Sequence, residues 1–342
     1  MPPFELASFL SHLNLGAVNS AELDQVRRLL CRLQDSIRAA VRTAQLLGIK
    51  RMVRVAAVTS ADTIYVIDKV SEQAVLAWFA KNWPPRWPVE LVMEGLEKHG
   101  AVTFPRGTPV AQTLFKCILD PIDGTRGLMY DKRSAWSLAA LAPQRGARTK
   151  LNDIILAAMT ELPTSKQGQA DQISAIHGGG VRAERIDLRT GRRAKFKPRP
   201  SRAKDLAHGF ASFAKFFPPG KAWLAACEEK LWRALGDGVE IFDDQYLSSG
   251  GQIYELLMGH DRFIADLRPL AFATLGIRSA LACHPYDICT TLVAQELGCV
   301  ITAPDGRPLH APLDTTTPVA WVGYANRALA RRIGPKLRAL VR

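Results

Sequence analysis

The stretch Cys117–Thr125, CILDPIDGT, is the most informative segment of this 342-residue sequence. The apolar run Leu114–Leu119, broken only by Lys116, predicts a short buried strand. The next residues, Asp120-Pro121-Ile122-Asp123-Gly124-Thr125, predict a turn in which two carboxylates three residues apart point to one place. Such carboxylates repel each other unless a cation lies between them, and oxygen ligands alone favour a hard ion such as Mg²⁺. The alternative is a turn that binds no ligand.

Three further acidic residues are candidates for the same site. The segment His284-Pro285-Tyr286-Asp287 predicts a helix start, because Pro is favoured at the first helical position and places Asp287 in the first turn. An acid there also complements the helix dipole without any ligand. Glu94 and Asp68 each follow a short apolar run, and each alone carries little information.

Together, these segments resemble the inositol monophosphatase-like family of Mg²⁺-dependent phosphatases. Residues 117–125 are similar to its first signature, and Asp287 with Glu296–Thr302 and Asp305-Gly306 resembles its second, about 160 residues later. The segment Ala175–Gly180 is similar to the glycine hairpin that closes the family's first sheet. Asp68 and Glu94 come in the right order for the remaining acids. The resemblance covers roughly residues 25–325.

The resemblance implies a mixed α+β or α/β fold, a layered αβαβα sandwich in two halves with the active site between them. The halves would be residues 1–205, carrying the main metal site, and 206–342, carrying the last ligand and the substrate wall. The local patterns agree with this. Apolar residues at helical spacing predict a helix over about 23–47, with Gly48 as its C-cap, and another over 71–81. The second half alternates between helices (222–235, 251–258, 285–297) and strands (239–242, 262–265, 299–302).

The resemblance also implies a role for each matching residue. The implied ligands of two or three Mg²⁺ ions are the carboxylates of Glu94, Asp120, Asp123 and Asp287 and the main-chain carbonyl of Ile122. The implied catalytic residues, which act on the attacking water, are Asp68, Glu94 and Thr125. The implied phosphate- and substrate-binding residues are Gly124, Thr125, Arg126, Ser249, Gly250 and Asp266. The implied activity is hydrolysis of a small phosphomonoester, an inositol or sugar phosphate, by in-line attack of a metal-activated water.

The sequence departs from the family pattern at several positions. Gly95 stands where the family usually has a second acid, and Tyr286 stands in place of tryptophan. Arg126-Gly127 is more similar to enzymes that remove the 3′-phosphate of adenosine bisphosphates, so a 3′(2′),5′-bisphosphate nucleotidase is the first alternative. A fructose bisphosphatase or another sugar phosphatase is also open. The extra residues Leu267–Tyr286 are expected to reshape the substrate mouth. A non-catalytic relative that binds RNA or an acidic partner is the remaining alternative.

The amino-acid composition excludes several classes of protein. With 47% hydrophobic and 23% charged residues, the chain is globular, not disordered. No apolar run of about 18 residues is present, so no membrane-spanning helix is expected. The amino terminus lacks signal-peptide features, and six cysteines without CxxC spacing predict reduced, mostly buried thiols in a cytoplasmic protein.

The net charge of +13 is concentrated in two segments. Residues 182–205 contain ten basic and three acidic residues, and residues 327–342 contain six basic residues and no acid. The first segment, with Pro198 and Pro200, predicts a long hairpin or a linker. Because the first segment lacks regularly interleaved aromatic residues, we expect a solvated loop and a solvated terminal helix face instead of nucleic-acid binding. The oligomeric state is left open, with a homodimer as one alternative.

Overall fold

The computed structural model describes residues 19–46, 55–58, 63–96, 100–236, 240–277 and 281–341, without the side chains of residues 55–58 and 63–71. In this part of the chain the helices are α1 Ser20–Leu46, α2 Val66–Asn82, α3 Thr125–Met129, α4 Lys221–Leu235, α5 Ser249–Met258, α6 Arg268–Thr274, α7 Thr291–Glu296 and α8 Arg327–Leu340. The strands are β1 Val55–Val58, β2 Thr63–Tyr65, β3 Val89–Met93, β4 Val102–Phe104, β5 Phe115–Asp123, β6 Ala135–Pro143, β7 Leu156–Leu162, β8 Gln169–Ile176, β9 Gly180–Asp187, β10 Arg193–Phe196, β11 Gly209–Phe213, β12 Ile241–Phe242, β13 Asp261–Asp266, β14 Val300–Thr302 and β15 Trp321–Tyr324. Within these residues, no helix combines the length and the apolar character needed to cross a membrane.

The larger sheet has eight strands in the order β10-β9-β8-β7-β6-β5-β3-β4. Its neighbouring strands are antiparallel except for β3 and β5, which are parallel. Alternate residues of β5 face two different cores, because side chains alternate along a strand. Cys117 and Leu119 pack in the core that contains α1, whereas Ile118 packs in the core that contains α5 and α7. Burial on both faces explains why the strand has a continuous apolar sequence.

The smaller sheet has five strands in the order β12-β11-β13-β15-β14, with β11 parallel to β12 and β13. Helices α5 and α7 pack between the two sheets, and α4 and α8 pack together on the other face of the smaller one. Helices α1 and α2 cover the outer face of the larger sheet. These are five alternating layers, so the predicted αβαβα architecture is confirmed. The division into halves near residue 205 stays a prediction.

Several element bounds differ from those predicted. Strand β5 continues through Asp123 instead of ending before Asp120, because β6 pairs with both aspartates across an irregularity in the register. Pro121, which lacks an N–H donor, lies in this irregularity, where a strand tolerates proline. The helix predicted over 285–297 is split into the 3₁₀ helix Pro285–Ile288 and α7. Helix α2 begins at Val66, five residues before the predicted start.

Other local predictions have mixed outcomes. The glycine turn joins β8 to β9, but the sheet continues through β10 instead of closing there. The basic segment does form a hairpin, made by the second part of β9 and β10. All six cysteines are buried free thiols. Gly48 and Val239, predicted as a helix cap and a strand residue, lie outside the described residues.

Candidate metal centre

The acids of the candidate site meet because β3 and β5 run parallel. Met93 lies opposite Leu119 in the register of these strands, so the next residues, Glu94 and Asp120, lie side by side where the pairing of β3 with β5 ends. The carboxylate of Glu94 raises the pKa of Asp120, which reflects this proximity.

Three aspartates form the centre of the site. Ligand oxygens of Asp120, Asp123 and Asp287 all lie within 4.8 Å of one another. The side chains of Asp120 and Asp123 are buried, and that of Asp287 is partly buried. Asp287 is held by its own turn, where it accepts a hydrogen bond from the His284 amide at 2.6 Å. Three carboxylates this close to each other suit a small, highly charged cation with oxygen ligands.

The electrostatics of the cluster favour a bound cation. Burial raises the pKa of Asp120 well above its usual range, and the neighbouring Glu94, Asp123 and Asp287 raise it further. Burial raises the pKa of Asp123 to about 6. Burial, followed by repulsion from Asp123, likewise raises the pKa of Asp287. A divalent cation among these oxygens would remove the repulsion and allow all three groups to ionise.

Asp123 is held by hydrogen bonds from the amino terminus of helix α5. The Ser248 hydroxyl donates to Asp123 Oδ2 at 2.8 Å, and the Gly250 amide donates to the same oxygen at 2.5 Å. Ser248 is also the N-cap of α5, where its hydroxyl oxygen accepts from the Gly251 amide at 2.9 Å. These hydrogen bonds lower the pKa of Asp123 and oppose the effect of its burial. Gly250, expected to contact the substrate, is therefore engaged by Asp123.

The turn after β5 brings Thr125 close to the same aspartates. Gly124 has a φ of 96°, and a Cβ there would lie 3.0 Å from the Cβ of Ser248, so glycine is needed for both conformation and space. Helix α3 then begins at Thr125. The Thr125 hydroxyl donates to the Ile122 carbonyl at 2.8 Å. The carbonyl expected to bind a metal and the hydroxyl expected to orient water are thus in direct contact.

A basic and aromatic wall lies beside the cluster. Asp266 at the end of β13 is fully buried, and Arg268 pairs with both of its carboxylate oxygens at 2.5–3.1 Å. The Arg268 guanidinium lies 5.0 Å from the ring centre of Phe216 and lowers the pKa of Asp287. Arg126 lies 6.0 Å from the ring centre of Phe217. Phe216 and Phe217 follow β11, and Arg268 follows β13. Because these two strands are parallel, the residues that follow them lie at the same edge of the smaller sheet.

Asp68 and Ser249 are the remaining predicted site residues, and Gly95 marks the position of the absent second acid. Asp68 lies in the first turn of α2, and its side chain is outside the described residues. The Ser249 hydroxyl contacts the Cys283 sulfur at 3.8 Å. A Cβ at Gly95 would lie 3.3 Å from Glu72 Oε2, so a carboxylate from α2 occupies the space beside the position where the family has its second acid.

Three residues shape the region through contacts that were not predicted from the sequence. Ser248 was detectable, because a serine before a predicted helix is a favoured N-cap. Arg268 follows Asp266 by two residues within the extra segment, and no local signal showed that the two would pair. Glu296 accepts from the amides of Gly178 and Gly180 at 2.8 and 3.1 Å, so it joins α7 to the glycine turn.

Solved structures with the same architecture share little sequence with this chain. Extragenic suppressor protein suhB from Bartonella henselae has 14% identity over 92% of this chain and 98% of its own, with a TM-score of 0.63. The holo form of Leishmania major fructose-1,6-bisphosphatase has 13% identity over 92% of each chain, with a TM-score of 0.65. An IMPase/NADP phosphatase complexed with Mg²⁺ and phosphate has 18% identity over 93% of this chain and 96% of its own, with a TM-score of 0.61. No protein-family model matches the sequence, and no curated protein sequence matches it.

These similarities establish the fold. It is the layered fold of the inositol monophosphatase-like phosphatases, a group that includes fructose bisphosphatases. The resemblance found in the sequence predicted this fold.

Proposed function

We propose that the protein is a Mg²⁺-dependent phosphomonoesterase that hydrolyses a small phosphorylated metabolite, an inositol phosphate or a sugar phosphate. The observation that carries the proposal is the cluster of Asp120, Asp123 and Asp287, whose ligand oxygens lie within 4.8 Å of one another. A cluster of mutually repelling carboxylates is costly to bury, which favours a functional reason for keeping it.

The residues present fit Mg²⁺, because every donor is a carboxylate or carbonyl oxygen. Asp120, Asp123 and Asp287 would hold the first ion, and Glu94 and the Ile122 carbonyl would complete a site for two or three. When bound, the ions neutralise negative charge on the phosphoryl oxygens and promote ionisation of the attacking water.

The chain's own groups position the reactants. The Thr125 hydroxyl donates to the Ile122 carbonyl, so its oxygen can accept a hydrogen bond from a water. In this role Thr125 orients the water for in-line attack, with Asp68 and Glu94 as its proposed partners. A new P–O bond forms as the ester P–O bond breaks, and the leaving alkoxide takes up a proton. The amides of Gly124 and Thr125 and the Arg126 side chain would bind phosphate oxygens.

A second candidate is a 3′(2′),5′-bisphosphate nucleotidase. Arg126 and Arg268 lie 6.0 and 5.8 Å from the ring centre of Phe217, so cationic and aromatic groups meet beside the acidic cluster. Such a wall suits a substrate with a second anionic group and a planar ring.

Phosphate release from a panel of esters tests both candidates. The panel contains inositol 1-phosphate, fructose 1,6-bisphosphate and adenosine 3′,5′-bisphosphate, each with Mg²⁺ and with EDTA. We expect release that needs Mg²⁺, is lost in Asp120→Asn and is kept in Asp261→Asn, which alters a buried aspartate outside the cluster. The preferred ester separates the two candidates. Release that persists in EDTA or in Asp120→Asn would contradict the proposal.

A further inference from the structure

A basic groove lies on the outer face of the smaller sheet, away from the acidic cluster. It has a volume of about 500 Å³ and is formed by α8 and the strands β14 and β15. Its lining includes Thr302 and Tyr324 from the strands and Arg327, Arg331 and Arg338 from the helix. None of the acids of the candidate metal centre contributes to it.

Within the part of the chain that the structure describes, Arg327, Arg331 and Arg338 form no ion pair with a carboxylate. The nearby Asp305 is paired with Arg307 at 2.6 Å. Helix α8 contains no acidic residue. The groove therefore has a strongly positive potential that an anionic ligand would complement.

The position of Arg338 depends on two glycines. A Cβ built at Gly306 would lie 2.9 Å from Arg338 Nη1, and one built at Gly334 would lie 3.2 Å from the same atom. The missing side chains leave the room that the guanidinium occupies. The Tyr324 hydroxyl lies beside Gly334, and burial raises its pKa to about 12, so it stays protonated and can donate to an anion.

The part of α8 that lines the groove contains residues that destabilise a helix. Gly334 and Pro335 stand inside α8, and each weakens a helix interior, glycine through backbone entropy and proline through its missing N–H donor. Arg327 occupies the first turn, where its charge opposes the helix dipole. Features that conflict with local stability are frequently found at functional sites.

The spacing of the arginines indicates the size of the ligand. Arg327 and Arg331 are one helical turn apart, about 6 Å, so both can contact one phosphate group. Arg338 lies about 10 Å further along the same face. A single phosphate is too small to contact both ends of this row.

We propose that the groove binds a small metabolite that carries two separated phosphate groups. Arg327 and Arg331 hold one phosphate, and Arg338 with Tyr324 holds the other. The site is independent of the proposed phosphatase centre and needs no metal.

Calorimetric titration of the full chain with fructose 1,6-bisphosphate, in EDTA and in the Asp120→Asn background, tests the proposal. These conditions remove metal-dependent binding, so the outcome does not depend on whether the phosphatase proposal holds. We expect Arg327→Ala/Arg331→Ala to weaken binding at least tenfold, as expected for the loss of charge-assisted contacts. Arg192→Ala, in the other basic segment, should change the affinity less than twofold. Fructose 6-phosphate, with one phosphate, should bind at least tenfold more weakly than the bisphosphate.

Three outcomes would overturn the proposal. The first is absence of bisphosphate binding by a protein whose thermal unfolding is normal. The second is an affinity that is unchanged in the double variant, and the third is equal affinity for the monophosphate. If the protein binds a 20-nucleotide RNA through Arg327 and Arg331 but not the bisphosphate, the groove is a nucleic-acid surface instead.

Discussion

Arg268 pairs with both carboxylate oxygens of Asp266, a side chain with no exposed surface. The arginine also donates to the Leu281 carbonyl at 2.7 Å and comes from the extra segment Leu267–Tyr286. The carboxylate predicted to bind substrate hydroxyls is therefore engaged within the protein. A substrate hydroxyl can bind it only by sharing it with Arg268, so the extra segment changes the chemistry of the substrate wall.

Replacing Arg268 should strongly destabilise the fold. Arg268→Met leaves the buried Asp266 carboxylate without its partner, which costs about 3–5 kcal/mol of unfolding free energy. Urea unfolding at pH 7.5 measures this loss. The double variant Asp266→Asn/Arg268→Met should recover most of it, because no buried charge remains. If the unfolding free energy of Arg268→Met lies within about 1 kcal/mol of that of the parent protein, the pair is not important for stability.

Two adjacent serines should have different effects. Ser248→Ala removes the hydrogen bond to Asp123 and the N-cap of α5, so we expect a loss of about 1 kcal/mol in stability and weaker Mg²⁺-dependent activity. Ser249→Ala is the matched control for stability, because the Ser249 hydroxyl contacts the Cys283 sulfur at 3.8 Å, whereas the N-cap of α5 is Ser248. Both variants are compared by thermal unfolding and phosphate release. A larger loss of thermal stability in Ser249→Ala than in Ser248→Ala would contradict the assigned role of Ser248.

Because of Asp261, the free energy of unfolding should fall as the pH rises. Burial, then repulsion from Glu255 and Asp244, raises the pKa of this carboxyl to about 7, against about 3.9 in an unfolded chain. The contribution of the protonated Asp261 to the free energy of unfolding is fully present below pH 4 and is lost as the pH rises through 7. It is lost because this carboxyl ionises less readily in the folded state than in the unfolded state.

Asp261→Asn removes this penalty. The stability advantage of the variant over the parent protein should grow by about 2.6 kcal/mol from pH 5 to pH 8, measured by urea unfolding at both pH values. A difference between the two proteins that does not change with pH would show that Asp261 ionises normally in the folded state.

The fold was predicted through a family resemblance, and the segments that carry this resemblance are short and local. The apolar run before Asp120 reflects a strand buried on both faces, and Asp287 lies in the 3₁₀ helix that begins at Pro285. The structure brings together Asp120, Asp123 and Asp287, which are three of the five metal ligands implied by the resemblance. Their roles as ligands stay a prediction.

The rest of the site depends on contacts between distant segments. Asp123 and Ser248 are 125 residues apart, and only the packing of α5 against β6 and β5 makes them partners. The pairing of Arg268 with Asp266 depends on how the extra segment folds back. The extension of β5 through Asp123 depends on its pairing with Trp136 in β6, whereas the local sequence favours a turn.

Binding of Mg²⁺ at pH 7.5, measured by isothermal titration calorimetry, tests the central claim most directly. We expect saturable binding by the parent protein and by Asp261→Asn, and at least tenfold weaker binding by Asp120→Asn, which loses the most central carboxylate of the cluster. Binding should also weaken as the pH falls towards 6, because protons then compete for Asp123. Equal affinity in the parent protein and Asp120→Asn, or no Mg²⁺ binding by a folded parent protein, would contradict the assignment of this cluster as a metal site.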